Sequence, residues 1–221
     1  MRWLINQDLS CCEIDEHLVF LDLALDRYFR LSPPLESAMR AYLASGTLAR
    51  HQREALERSG IVIAYAPECA TMPDLPAPTA STIESPSMAM PRTGPSVLAE
   101  VAATVWGTRR RLRRDPFRSV IDNTLTGGAP RPSGSCMTSH RALEEATLQF
   151  IRARRYVPIA PCCLLDSLAL FRFLARRRLP ARIVFGVTLL PFAAHCWLQA
   201  GGTILNETLS DAGAHTPVRI I

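Results

Sequence analysis

The sequence predicts an α+β protein built from two units of different character. Three observations predict it. Residues 1–64 alternate apolar and polar positions in three short runs and then change to helical spacing. Residues 65–95 carry seven prolines (67, 73, 76, 78, 86, 91 and 95) among Ser, Thr and Ala, the composition of an extended linker. Residues 96–221 read as helices followed by apolar strands, so helices packed on an antiparallel sheet are expected.

In the first unit, WLINQDLSCCEID and HLVFLDLAL read as strands joined near Asp15-Glu16, and YFRLS is a third strand after Asp26-Arg27. Ser32 caps a helix opened by Pro33-Pro34 and ended by Gly46. Thr47 caps a second helix that ends at Gly60, before the short strand IVIA. The proline-rich segment that follows is expected to be extended or disordered, leaving the two halves mechanically independent.

The second unit opens with a helix from Ser96 to Arg114, continued through Asn123. Arg109 to Arg114 form the densest basic patch, read as a solvated helix end, with docking of an acidic partner as the alternative. A Pro/Gly break spans 127–134. An amphipathic helix capped by Thr138 or Ser139 then covers the next one, with His140 at its exposed start.

Residues 161–207 read as helix, strand, strand, strand. Leu164, Leu168, Phe171 and Leu174 make an apolar helical stripe, and Cys163 falls in the first turn, where the helix dipole would acidify a thiol. ARIVFGVTL, AAHCWLQ and TILNE are strand-like. A three-residue turn at Ala200-Gly201-Gly202 pairs residues whose numbers sum to 402 and sets His195 opposite Glu207. A two-residue turn at Gly201-Gly202 pairs His195 with Thr208 instead and sends Glu207 to the other face.

A lone cysteine or histidine is more often structural than catalytic. A cysteine at a helix start, a histidine on a strand and a carboxylate on the next strand together suit nucleophilic catalysis. Cys163 would attack a carbonyl, His195 would move the proton, and Glu207 would hold the imidazole. Cys162 is the rival nucleophile and Asp211 the reserve acid. Ser167 reads as helix packing, and Trp197 either shields the ion pair or is core. A zinc site from Cys162, Cys163, His195 and Cys196 is disfavoured because adjacent cysteines chelate one ion poorly, so no metal is expected.

The chain has 221 residues, 48% apolar and 20% charged, as in folded soluble proteins. All 25 basic residues are arginine and the net charge is +5, but no aromatic-interleaved basic stretch points to nucleic acid. Seven scattered cysteines with two adjacent pairs make a poor disulfide framework and fit a reducing cytoplasm. No signal peptide or apolar run of membrane-spanning length is present, so a cytoplasmic protein without membrane contact is expected.

Cys163-Leu-x-x-Ser167-Leu-Ala-Leu170, Gly186-Val187, Pro191-Phe192-x-Ala-His195-x-Trp197 and Asn206-Glu207 resemble the B protein of lasso-peptide biosynthesis, densely so from about residue 138 to 208. That family is a transglutaminase-like cysteine peptidase, with the Cys-His-acid order also used by papain-like enzymes, and it removes the leader of a ribosomal precursor peptide. The resemblance carries the triad onto Cys163, His195 and Glu207. Here Glu stands for the usual Asp, and Cys196 replaces the usual small residue after the histidine.

LDLALDRYFRLS and LERSGIVI in residues 1–64 resemble the winged-helix-like, PqqD-like recognition domain of peptide-modifying pathways. There the third strand accepts the leader as an added strand, which implies a docking edge at Tyr28, Phe29, Arg30 and Leu31. A winged-helix-like dimerisation or DNA module is the plainer alternative. The resemblance implies a leader peptidase working with an asparagine-synthetase-like cyclase. No G-x-x-x-x-G-K-[ST] motif is present, so no cofactor is expected to bind directly and any ATP would act through the cyclase. An acyltransferase using the same triad and a non-enzymatic precursor escort are the rival readings.

Overall fold

A computed structural model describes residues 2–61, 70–71, 75–85, 93–126 and 136–221. The first unit holds β1 (Arg2–Leu4), β2 (Leu9–Ile14), β3 (His17–Asp22), β4 (Arg27–Arg30), α1 (Pro33–Ser45), α2 (Arg50–Arg58) and β5 (Ala70–Thr71). Its strands form one antiparallel sheet in the order β4-β3-β2-β1-β5.

The first expected strand is two. Asn6 Oδ1 accepts the N–H groups of Asp8 and Leu9, both at 2.8 Å, and this side-chain turn folds β2 back on β1. Asp15 and Glu16, both at positive φ (47° and 63°), make the two-residue turn into β3. Gly46 ends α1 in the left-handed conformation, its N–H bonded to the Tyr42 carbonyl. Thr47 does not cap α2. That place falls to Ala49, whose N–H is accepted by the Gln52 side chain, while Thr47 is hydrogen-bonded to Ser45. Ile61 is buried, and the rest of the expected strand IVIA lies outside the described residues.

Both faces of this sheet are covered. Leu9, Cys11, Leu18 and Phe20 pack on Met39, Tyr42 and Leu56 of α1 and α2. Cys12, Val19, Leu21 and Leu23 point the other way, into the main core of the second unit. The N-terminal turn is also tied across: Gln7 O accepts from Arg118 Nη1 at 2.6 Å and from Arg219 Nη2 at 2.8 Å, and Arg118 pairs with Asp8. The expectation of mechanically independent halves therefore fails. A strand pair apolar on both faces has two partners to satisfy.

The expected linker is partly built in as well. Residues 75–85 run beside the second sheet, where β6 (Ala80–Ser81) pairs in parallel with a later strand. The remainder comprises α3 (Pro95–Arg114), α4 (Phe117–Thr126), α5 (Cys136–Arg154), α6 (Cys163–Arg176), β7 (Arg182–Leu189), β8 (Phe192–Ala200), β9 (Thr203–Ile204), α7 (Leu209–Gly213) and β10 (Thr216–Ile220). Helix α3 does not continue to Asn123, because Pro116 forces Asp115 into the extended region and α4 starts anew. The 127–134 break lies outside the described residues, and α5 already includes Thr138 and Ser139, so neither is its expected cap.

The second sheet has the order β10-β7-β8-β9-β6 and is antiparallel except at β6–β9. Helix α6 lies under it and is buried nearly all round, with Leu165, Leu168, Leu170, Phe173 and Leu174 in the core beside Val101, Val105, Phe150, Ile183 and Leu198. The α+β architecture is the expected one. Among the described residues no helix is long and apolar enough to cross a membrane.

Candidate active site

Cys163 is the first residue of α6, preceded by Cys162 in extended conformation at the N-cap. The approach to this helix is fixed by one ion pair. Arg154 Nε donates to Asp166 Oδ1 at 2.6 Å, and Arg154 Nη2 donates to the carbonyls of Ile159 and Ala160. Asp166 Oδ2 in turn accepts the Cys162 N–H at 3.2 Å. A carboxylate in the first turn thus satisfies an orphan donor and opposes the positive helix end.

Burial pushes the Cys163 thiol up from its ordinary value, while the N–H groups of Cys196, Leu164 and Cys163 pull it down by less. The expected acidification by the helix start is present but outweighed by desolvation. A thiol in that state needs a base to take its proton. Cys162 is exposed, whereas Cys163 shares a cavity with His195.

His195 sits on β8 opposite Gly186 of β7. Its Nε2 is 2.9 Å from Glu207 Oε2, so the carboxylate engages one of the two ring nitrogens. Its ring stacks on Trp197 (centroids 6.1 Å, planes 25° apart) and meets His215 at 5.1 Å. Trp197 is buried and lies across Gly186, where any Cβ would stand 2.6 Å from the indole. His215 was missed in the sequence, where nothing but its position beyond the motif marks it. Its Nδ1 is 2.7 Å from the Asp211 carbonyl.

Glu207 reaches His195 by a route the sequence did not suggest. The β8–β9 ladder pairs Gln199 with Ile204 and Ala200 with Thr203, so the pairs sum to 403 and the turn has two residues, Gly201 at φ +56° and Gly202. The expected 402 register is wrong. Regular pairing from there would set Thr208 opposite His195, but the strand stops at Ile204. Leu205 N still donates to Leu198 O at 2.9 Å. The Leu198 N–H then goes to the Asn206 side-chain oxygen at 2.7 Å instead of to a backbone carbonyl. Asn206 Nδ2 donates to Ser167 Oγ at 2.9 Å, and Ser167 Oγ donates to Cys196 O at 2.9 Å. The chain leaves the ladder here, and Glu207 swings back to the histidine.

Ser81 of β6 completes the arrangement by donating to the Glu207 carbonyl at 2.6 Å. The Thr208 N–H holds Glu207 Oε1 at 3.0 Å. Asp211, the reserve acid, is engaged elsewhere, accepting from Thr208 Oγ1 at 2.7 Å at the start of α7.

The four residues of the expected docking edge divide. Among the described residues β4 is the edge of the first sheet, paired on one side by β3. Phe29 stacks on Phe20 (5.2 Å) within the first unit, Arg30 is exposed and Leu31 is half-buried against the same cluster. Tyr28 faces the other way and lines the cavity of Cys163 and His195.

A family model described as the transglutaminase-like superfamily matches residues 104–219, from α3 to β10, with Cys163, His195 and Glu207 inside it. The chain belongs to the transglutaminase-like superfamily. It is also similar to the microcin J25-processing protein McjB of Escherichia coli, 42% identical over 45 residues. That match covers 20% of this chain and 22% of McjB, so about a fifth of the relative's length is spanned. Both findings support the resemblance to a lasso-peptide biosynthesis B protein. No solved structure matches.

Proposed function

We propose that the protein is a cysteine peptidase that removes the leader from a lasso precursor peptide. The observation that carries this is the meeting of Cys163, at a helix start, with a His195–Glu207 pair in one cavity. His195 Nδ1 takes the proton of Cys163 as the sulfur attacks the scissile carbonyl, and then gives that proton to the leaving amine. Glu207 holds the other ring nitrogen and stabilises the imidazolium. Water, deprotonated by His195, adds to the thioester and releases the leader carboxylate and Cys163. No metal or directly bound cofactor enters this scheme.

The leader would add to the open edge of β4, from Tyr28 to Leu31. The shared core of the two units supports this reading, in which capture and cleavage would take place on adjoining surfaces. The proposed setting is the cytoplasm. The freed core would pass to an asparagine-synthetase-like cyclase, through which any ATP would act.

Product mass tests the chemistry. With a precursor cut in H₂¹⁸O, hydrolysis places one heavy oxygen on the new leader carboxylate. Acyl transfer would add an amine and no label. Binding of a fluorescent leader that weakens on Arg30→Pro, a change that removes a β4 N–H, tests the docking edge.

A further inference from the structure

The cavity beside Cys163 measures about 120 Å³. Its walls come from both units. Leu21 and Tyr28 of the first sheet and Asp26 of the turn between β3 and β4 belong to the first unit, and Phe117 and Phe185 to the second. Size is informative here: a dry cavity of about 150 Å³ holds a benzene ring. This one, open on one side, is of a size for a compact apolar side chain.

Tyr28 is the group that bounds it. Its ring meets Phe192 edge-on at 5.9 Å. Its hydroxyl is pushed up by burial first, and further by the neighbouring Cys196, Asp26 and Cys163. The chain also exposes apolar side chains on the turns next to these two residues in sequence: Leu25 (63% exposed) just before β4, and Leu190 (92%) just before Phe192 (55%), which opens β8. An exposed aromatic ring in contact with a side chain that lines a nucleophile's cavity gives an apolar stretch of substrate a place to lie, and Phe192 against Tyr28 is such a ring.

We propose that this cavity is a side-chain subsite, closed by Tyr28 of the N-terminal unit, for a compact apolar residue next to the bond that Cys163 cuts. It rests on the peptidase reading but adds that the recognition unit supplies a wall of the cleavage site as well as the leader edge. Tyr28 is then a specificity-determining residue.

Two measurements test it. The cleaved bond of a precursor is located by mass spectrometry, and the residues on either side are varied from Ala to Val, Leu, Phe and Trp. For the wild type, kcat/KM is expected to fall at least tenfold from the best compact residue to Phe at one of the two positions. Tyr28→Ala should bring that ratio to within threefold. Tyr28→Leu, a milder enlargement in case the alanine variant melts early, should shift it in the same direction.

The second measurement needs no cleavage. Alkylation of Cys163 is followed by peptide mapping with iodoacetamide and with bulky N-phenylmaleimide. Tyr28→Ala should raise the bulky-to-small rate ratio at least fivefold. An unchanged labelling ratio, or an unchanged side-chain preference in variants that remain folded, overturns the inference whatever the peptidase does. A shifted labelling ratio without any cleavage upholds Tyr28 as the cavity wall and overturns the peptidase reading instead.

Discussion

His195 Nε2 and Glu207 Oε2 lie 2.9 Å apart although the ladder register points Thr208, not Glu207, at the histidine. The contact exists because Asn206 spends its side chain on the backbone of Leu198 and on Ser167, which ends the ladder after the Leu205 N–H bond to Leu198 O. Asn206→Ala should therefore lower kcat by roughly 10²-fold through misplacement of the acid, with KM changed little. Asn206→Asp keeps the acceptor for Leu198 and should lose less. Steady-state kinetics normalised to titratable Cys163 checks this; equal losses in both variants, tracking the melting temperature, would make Asn206 merely structural.

Gly186 lies under Trp197, and an added Cβ would stand 2.6 and 2.7 Å from the indole and 3.0 Å from the His215 Cβ. Gly186→Ala is expected to destabilise the fold by about 1–3 kcal/mol, read as a lower urea midpoint. Because Gly186 is the ladder partner of His195, activity should fall further than the loss of folded protein explains.

Leu21 belongs to β3 yet is buried in the core shared with the second unit. Leu21→Ala should cost about 2–5 kcal/mol. Hydrogen exchange should quicken in β7 and β8 as well as in the first sheet. Faster exchange confined to residues 2–61 would show two separate folding units.

The Cys196 thiol is fully buried, and burial, with the nearby Cys163, pushes it far above its ordinary 9.0. Above pH 9 the unfolded chain releases that proton while the folded chain keeps it. Stability contributed by the neutral buried thiol is thus present below pH 9 and lost as pH rises past it, by up to ~1.4 kcal/mol per pH unit. Urea midpoints between pH 8 and 10 should fall in the wild type and fall less steeply in Cys196→Ala.

Much of the site was legible from the sequence because its chemistry is local. Cys163 follows a proline into a helix, and His195 and Trp197 share one face of a strand. Glu207 could be named but not placed. Its approach depends on Asn206 replacing a main-chain acceptor and on Ser81, more than a hundred positions earlier in a stretch that composition marks as linker. The shared core has a visible sign in the sequence: Leu18 and Phe20 alternate with Val19 and Leu21, so β3 is apolar on both faces. Strand β10 and His215 lie past the motif, where pairing of β10 with β7 decides the structure.

The central claim is that Cys163 cuts a precursor peptide. The most direct measurement is mass spectrometry of a precursor incubated with wild-type protein and with Cys163→Ala, each with and without the cyclase. The account predicts cleavage at a single bond by the wild type and none by the variant. Equal processing by both would contradict it and point to Cys162, and tight leader binding without cleavage by either would favour an escort.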